Sequence, residues 1–442
     1  MKRMLTLLFM VALFLGVKAQ VLFNQDFESG TLDPMKAVDV DGKTVNANVA
    51  SFCGPTFTVV QQAATNKAVV STSWFEPVGQ ADDWLISPPI TVTSANTFVS
   101  WRAYSPDANY RDGYQVRIST TNDSIASFGT LALNVAAELT TWTTRSIRLT
   151  NYVGQTIYVA WRNNSTDKYL LYMDDFKAEI LKGNNVIVKN LTFEKYNPVA
   201  TEVPIKISIE NHGANPVTSL FFDYNAGGYT YTDTVTGLNV APLKSLDLTH
   251  SISHVVGYNE YPISVEVRSP NGIADEDSTN NTITRYMYGI SEQLPKKVVV
   301  EEATGTWCIW CPRGAVNMDL IWGKYPDLVM PIAVHNYDPM TVADYDTPFS
   351  ASVSGYPSGH VDRKTRDIDP LNFETAVLDI QNRLVPVQVT TEVTWNSETR
   401  SANIRGTAHS SIETEHNAFR FVCVITEDGV HGTDAGYAQA NI

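Results

Sequence analysis

Short runs in which apolar and polar residues alternate dominate this chain, and a period of two predicts strands. Between positions 20 and 181 examples are Thr97-Phe98-Val99-Ser100-Trp101, Tyr114-Gln115-Val116-Arg117-Ile118 and Thr156-Ile157-Tyr158-Val159-Ala160-Trp161, with turn clusters separating them. No helical period competes there, so a two-sheet β-sandwich is expected. Ile205-Lys206-Ile207-Ser208-Ile209 and Pro262-Ile263-Ser264-Val265-Glu266-Val267 alternate in the same way, with Asn211-His212-Gly213 and Ala226-Gly227-Gly228 as turns. Positions 185–290 suit one immunoglobulin-like sandwich of ~100 residues.

The pattern changes between 294 and 384. Val298-Val299-Val300 reads as a buried strand, 313–324 as a helix, 328–334 as the next strand and 373–384 as a closing helix. Alternating strands and helices imply an α/β layer around a small sheet. From 385 onward strands return in Gln388-Val389-Thr390-Thr391-Glu392-Val393 and Phe419-Arg420-Phe421-Val422-Cys423-Val424-Ile425. Positions 385–442 are too few for a sandwich of ~100 residues. A partial β-sandwich is expected, either cut inside a domain or paired with another module. The expected fold class is therefore mainly β and multidomain.

Composition changes this picture at the start of the chain. Positions 1–19 carry Lys2 and Arg3, an apolar centre from Met4 to Val17 and small residues at Val17 and Ala19, the pattern of a cleaved export signal. That places the mature protein outside the cytoplasm, in the envelope (outer membrane or periplasm) or beyond it. Gln20 follows the cut, so a lipid has no cysteine to attach to there. No later stretch approaches the ~20 apolar residues of a spanning helix. With a net charge of −15, phosphate backbones are repelled and nucleic acid is not an expected partner. Of the four cysteines, Cys53 and Cys423 have no close partner in sequence and are expected as buried thiols.

The other two stand together in Trp307-Cys308-Ile309-Trp310-Cys311-Pro312, entered from the valine-rich run. A C-x-x-C at the start of a helix places one sulfur near unpaired backbone N–H groups, which favour thiolate, and a second within reach to resolve a mixed disulfide. Cys308 takes the attacking position and Cys311 the resolving one. No histidine or basic residue stands between them, so a moderately lowered Cys308 pKa is expected to rest mainly on the helix terminus, with help from Arg313. A zinc site needs four ligands, and His335 and His360 do not form a compact pair. A disulfide that never turns over is the competing use.

Glu301 through Cys308, then Cys311-Pro312-Arg313-Gly314 and Gly355-Tyr356-Pro357-Ser358-Gly359, resemble a thioredoxin-like domain, and their context resembles the secreted bacterial family named after a twenty-eight-kilodalton outer-membrane protein. The resemblance implies that Pro357 is a cis-proline shaping a peptide groove and that Glu302 is the buried acid relaying protons from Cys311. Glu301 would point to the opposite face. Ile309 and Trp310 depart from the usual intervening residues, so neither a reductase nor a strong oxidant is specified. The first region resembles cleaved-adhesin and MAM-like jelly rolls in Asp26-Phe27-Glu28 with Gly30, Asp83-Trp84-Leu85-Ile86-Ser87-Pro88, Asp112-Gly113-Tyr114, Asn163-Asn164-Ser165 and Met173-Asp174-Asp175.

Similar jelly rolls often carry structural calcium, and hard oxygen ligands suit that ion. Asp26, Glu28, Asp174 and Asp175 would converge if the first and last strands pair, while Asp39-Val40-Asp41-Gly42 offers alternating carboxylates on what is equally an ordinary turn. Trp74, Trp84, Trp101, Tyr110 and Trp161 are candidates for stacking on sugars, with core packing as the rival use. No G-x-S-x-G, H-E-x-x-H or Walker-type run supports a hydrolase or nucleotide reading.

Together these readings imply five segments: a signal at 1–19, a cleaved-adhesin-like jelly roll at 20–181, an immunoglobulin-like domain at 185–290, a thioredoxin-like domain at 294–384 and a partial immunoglobulin-like domain at 385–442. The expected role is adhesin-like binding of a host matrix protein or glycan, with thiol–disulfide exchange on protein thiols or disulfides as a second activity through a redox-active disulfide. The alternative is an envelope thiol–disulfide oxidoreductase whose β domains only position it.

Overall fold

The computed structural model describes residues 20–413, 415 and 419–440, so the expected export signal at 1–19 lies outside the described residues. The chain is mainly β. It divides into two compact units, one built on the described residues up to Thr192 with Ile205–Ile252 and Ser264–Arg285, the other on Phe193–Pro204, Ser253–Ile263 and the described residues from Tyr286 on. Both draw on positions 185–290. Among the described residues no helix is long and apolar enough to cross a membrane.

In the first unit, two six-stranded sheets share one core. One runs Thr143–Arg148, Thr97–Tyr104, Leu171–Ile180, Asn66–Ser71, Thr58–Ala63, with Gln20–Gln25 also on Leu171–Ile180; the other runs Lys36–Asp39, Asp83–Ile86, Thr156–Asn163, Tyr114–Ser119, Thr130–Val135, with Ile90–Thr91 on Thr156–Asn163. Alternation explains the packing, because Val99, Trp101 and Ala103 point inward from one strand while Val116 and Ile118 point inward from another. Trp101 and Trp161 meet edge to face with centroids 5.4 Å apart. Both are fully buried and Trp84 nearly so, so these three belong to the interior. Tyr110 stays exposed and Trp74 half-buried.

The indole of Trp101 donates to the Tyr114 hydroxyl at 2.9 Å, which donates to Glu138 Oε2 at 2.9 Å, and Arg145 Nη2 donates to Glu138 Oε1 at 2.6 Å. Burial first, and then the Glu138 charge, hold the Tyr114 hydroxyl well above its ordinary pKa. Beyond this sandwich, Val186–Thr192, Lys206–Asn211 and Ser245–Thr249 form a three-stranded sheet, and Val217–Ala226 pairs with Tyr229–Val240. The turn between those two strands needs Gly227 and Gly228, whose φ values are 59° and 83°.

In the second unit, Val298–Thr304 lies parallel to Val329–His335 and antiparallel to Ser358–Val361, which pairs with Thr365–Ile368. Helices Pro312–Lys324 and Phe373–Ile380 bury Met318, Ile321, Phe373, Ala376 and Val377 against Val298 and Val300. The first helix begins at Pro312, where a missing N–H costs nothing. The second ends at Ile380, short of the expected 384.

Positions 387–410 form one hairpin, Val387–Asn396 with Ser401–Ser410, exposed along almost its whole length, in place of two packed sheets. The strand expected at 419–425 is absent. Alternation makes a strand only where a neighbour accepts its backbone groups, and no described strand pairs with this segment. Phe421 instead lies against Gly406, where an added Cβ would stand 2.0 Å from its ring. Cys423, expected inside, is exposed with the rest of the segment; Cys53 is buried.

Candidate functional site

Cys308 and Cys311 form a disulfide with Cα atoms 5.4 Å apart. The helix places Cys311, rather than the expected Cys308, at its N-cap, because Pro312 sets the first helical residue. Cys308 sits one turn earlier, its amide donating to Gly305 O at 3.0 Å while the Cys311 amide donates to Cys308 O at 3.2 Å. Arg313 pairs with Asp369 at 2.8 Å.

Glu302 is 2% exposed, and its Oε1 has no hydrogen-bond partner among the described residues. Burial, and after it the Asp319 charge, push its carboxyl up to about 8. A Cβ built on Gly314 would stand 1.8 Å from Glu302 Oε1 and 3.2 Å from Pro357 Cβ. That one glycine, in the first turn of the helix after Cys311, therefore brings Glu302 and Pro357 to the same place. The Tyr356–Pro357 bond is cis. Trp307, beside Cys308, meets Tyr356 with ring centroids 5.2 Å apart and donates to Asn336 O at 2.6 Å. Glu301 faces elsewhere and accepts from Arg363 and Tyr345. Burial works to raise its pKa, but the bonds from Arg363 and Tyr345 outweigh burial and hold it below the usual range.

Sequence reasoning missed the segment that closes over this loop. Ala440 N donates to Thr306 O at 2.7 Å, the Thr306 hydroxyl to Gly436 O at 2.8 Å and Gln439 Nε2 to Cys308 O at 2.8 Å. Both cysteines are buried, whereas the flanking Trp307, Ile309 and Trp310 are exposed. Nothing local marks Gln439 as a partner of Cys308, 131 positions away.

Of the four acids suggested as calcium ligands, Glu28 and Asp174 are held by the adjacent residues Lys67 and Asn66. Glu28 Oε1 accepts from the Lys67 amide, Asp174 Oδ2 from Asn66, and Asp26 Oδ1 from the Glu28 amide, while Asp175 pairs with Arg102 at 3.1 Å. The strand irregularity between Asp174 and Lys177 separates a buried Asp174 from an exposed Asp175. Burial pushes the Asp174 carboxyl up to about 6. Among the described residues, one carboxylate oxygen from each of Asp39, Asp41 and Asp83 lies within 4.8 Å of the other two.

Residues 21–178 match the family model described as Cleaved Adhesin Domain. Over 266 residues, 56% of this chain, the sequence is 25% identical to Hemagglutinin A and to Lys-gingipain W83, both of Porphyromonas gingivalis. The matched part spans 10% of the first relative and 14% of the second. Among solved structures, the K3 cleaved adhesin domain of Lys-gingipain from Porphyromonas gingivalis W83 is 23% identical with a TM-score of 0.30, covering 37% of this chain and 99% of that one.

Proposed function

We propose that this chain is an exported, adhesin-like binding protein whose jelly roll engages a host protein or glycan. The observation that carries this reading is the family match over residues 21–178, and it fits the P. gingivalis relatives being a hemagglutinin and a gingipain. The main core of that region is built wholly from residues within it. Immobilised matrix proteins and glycans should therefore bind residues 20–181 alone about as well as the full chain; loss of all binding by the isolated segment would remove the jelly roll as the binding element.

A second activity, thiol–disulfide exchange in a thioredoxin-like domain of the twenty-eight-kilodalton outer-membrane-protein type, is supported by the grouping of the Cys308–Cys311 disulfide, Pro357 and a buried Glu302 whose Oε1 has no hydrogen-bond partner among the described residues. A partner thiolate attacks Cys308 Sγ, the Cys308–Cys311 bond breaks, and Cys311 leaves with a proton from Glu302. A second partner thiolate then attacks the mixed disulfide and expels Cys308 as thiolate. The partner loses two electrons and becomes a disulfide, and the protein gains them as a dithiol; the reverse sequence reduces a partner disulfide. Turnover of a model disulfide should vanish in Cys308→Ser, and turnover unchanged by that substitution rules the activity out.

A further inference from the structure

We propose that the edge strand Thr130–Val135 of the jelly roll binds an extended, uncharged segment of a partner polypeptide as an added strand. The inference rests on the binding role proposed above and gives that role a protein partner. The strand ends its sheet: its neighbour is Tyr114–Ser119, paired antiparallel, and no described strand lies on its other side. Among the described residues, no backbone hydrogen bond outside that ladder reaches positions 130–135. Such an edge presents a row of unpaired N–H and C=O groups. Another extended backbone is the ligand that matches the row group for group.

Edges are normally guarded by charge, proline or cover. The other strands that end these two sheets follow the rule: Thr143–Arg148 carries Arg145 and Arg148, Lys36–Asp39 carries a lysine paired with Asp123 and an aspartate, and most of Thr58–Ala63 is half-buried. Thr130–Val135 reads Thr-Leu-Ala-Leu-Asn-Val, without charge or proline, and Thr130, Leu131, Ala132 and Asn134 are exposed. Leu131 is 49% exposed and offers apolar surface to a side chain laid beside it. Arg117, across the ladder from Leu131, is already held by Gln115 at 2.9 Å and by Phe128 O at 3.2 Å. A charged segment would therefore lose water here without gaining an ion pair, which selects an uncharged one.

Geometry separates a flexible segment from a second copy of this chain. A strand of this length extends about 20 Å and a sheet is about 10 Å thick, so edge-to-edge pairing of two sandwiches buries roughly 400 Å² in all, far below the ~1,200 Å² of a stable interface. The register with Tyr114–Ser119 also shifts at Ala132, between the pairs Leu133–Val116 and Leu131–Arg117. That irregularity bends the edge. A flexible segment follows the bend and reaches the surface beyond it; a second rigid sandwich does not.

The test is hydrogen exchange of the full chain, read by mass spectrometry over positions 130–135, with a probe peptide of alternating threonine and valine that ends in lysines for solubility. At about 1 mM peptide, exchange there should slow at least about twofold, the effect of half-occupancy at a dissociation constant of about 1 mM. The same peptide with proline in place of valine keeps the lysines, lacks the valine N–H donors and should give no protection. Leu131→Lys puts a charge on the edge and should abolish the protection with the far-ultraviolet circular dichroism unchanged; Asn134→Lys does the same should that variant misfold. Absence of protection in the wild type, or equal protection in a folded variant, overturns the assignment. So does protection that grows with chain concentration without peptide, which would give the edge to a second copy. A chain that binds matrix proteins yet shows no protection loses the edge and keeps the jelly-roll reading.

Discussion

Gly314 stands directly over Glu302, so close that a methyl group on the glycine would lie 1.8 Å from the Glu302 carboxylate oxygen. Alanine in place of a helical glycine ordinarily gains up to about 1 kcal/mol. Here the added carbon meets a buried carboxylate with little room to retreat and has Pro357 Cβ at 3.2 Å. Gly314→Ala is therefore expected to destabilise the domain, by about 1–3 kcal/mol as overpacking does. Glu302→Ala in the same chain should recover most of that loss, and thermal melts of the two single variants and the double variant measure the coupling.

The same carboxylate predicts a pH dependence. With its pKa raised to about 8 in the folded protein, Glu302 keeps a proton that the unfolded chain releases near its ordinary value. Its contribution to stability is then fully present below about pH 4.5 and is lost as pH rises through 8, at up to about 1.4 kcal/mol per pH unit between those limits. Glu302→Gln removes this slope. Denaturant unfolding at pH 5 and pH 8 should show a smaller drop in the variant than in the wild type, and equal drops would mean that Glu302 is ionised in the folded state.

Local pattern carried the strands and helices well, and pairing is what it lacked. Val99, Trp101 and Ala103 alternate and go to the core, and Pro312 opens the helix after the dithiol. The run at 419–425 alternates equally well but has no strand beside it, because a strand is completed by a neighbour that its own sequence does not contain. The acidic residues show the same limit. Asp39 and Asp41 were visible as a turn pair, but their meeting with Asp83 depends on the register of two strands more than forty positions apart. An unforeseen irregularity likewise divided Asp174 from Asp175.

The closing segment at 436–440 sets a prediction for the dithiol. Thr306→Val with Gln439→Ala removes the Thr306 hydroxyl's bond to Gly436 and the Gln439 bond to Cys308. At about 1 kcal/mol for each net hydrogen bond, opening becomes easier by roughly 2 kcal/mol. If the segment must lift before a reagent reaches Cys308, the rate at which a soluble dithiol reduces the Cys308–Cys311 bond should rise by about tenfold or more. Stopped-flow reduction of the full-length wild type and the double variant measures it, and equal rates would show that the segment does not guard the sulfurs.

The buried chain Trp101–Tyr114–Glu138–Arg145 gives a test in the first sandwich. Glu138 is fully buried, and Arg145 offers it a donor at 2.6 Å. Removing one partner of such a pair leaves a charge without compensation, at a cost of about 3–5 kcal/mol when both are deeply buried. The Arg145 side chain is 28% exposed, so Arg145→Met should fall near the low end, at about 3 kcal/mol. Arg145→Met combined with Glu138→Leu replaces the pair by apolar groups and should regain much of that loss, less the bond the Tyr114 hydroxyl forfeits. Urea unfolding followed through the buried tryptophans distinguishes the two variants, and a double variant as weak as Arg145→Met would place the loss in packing around Arg145 rather than in the stranded carboxylate.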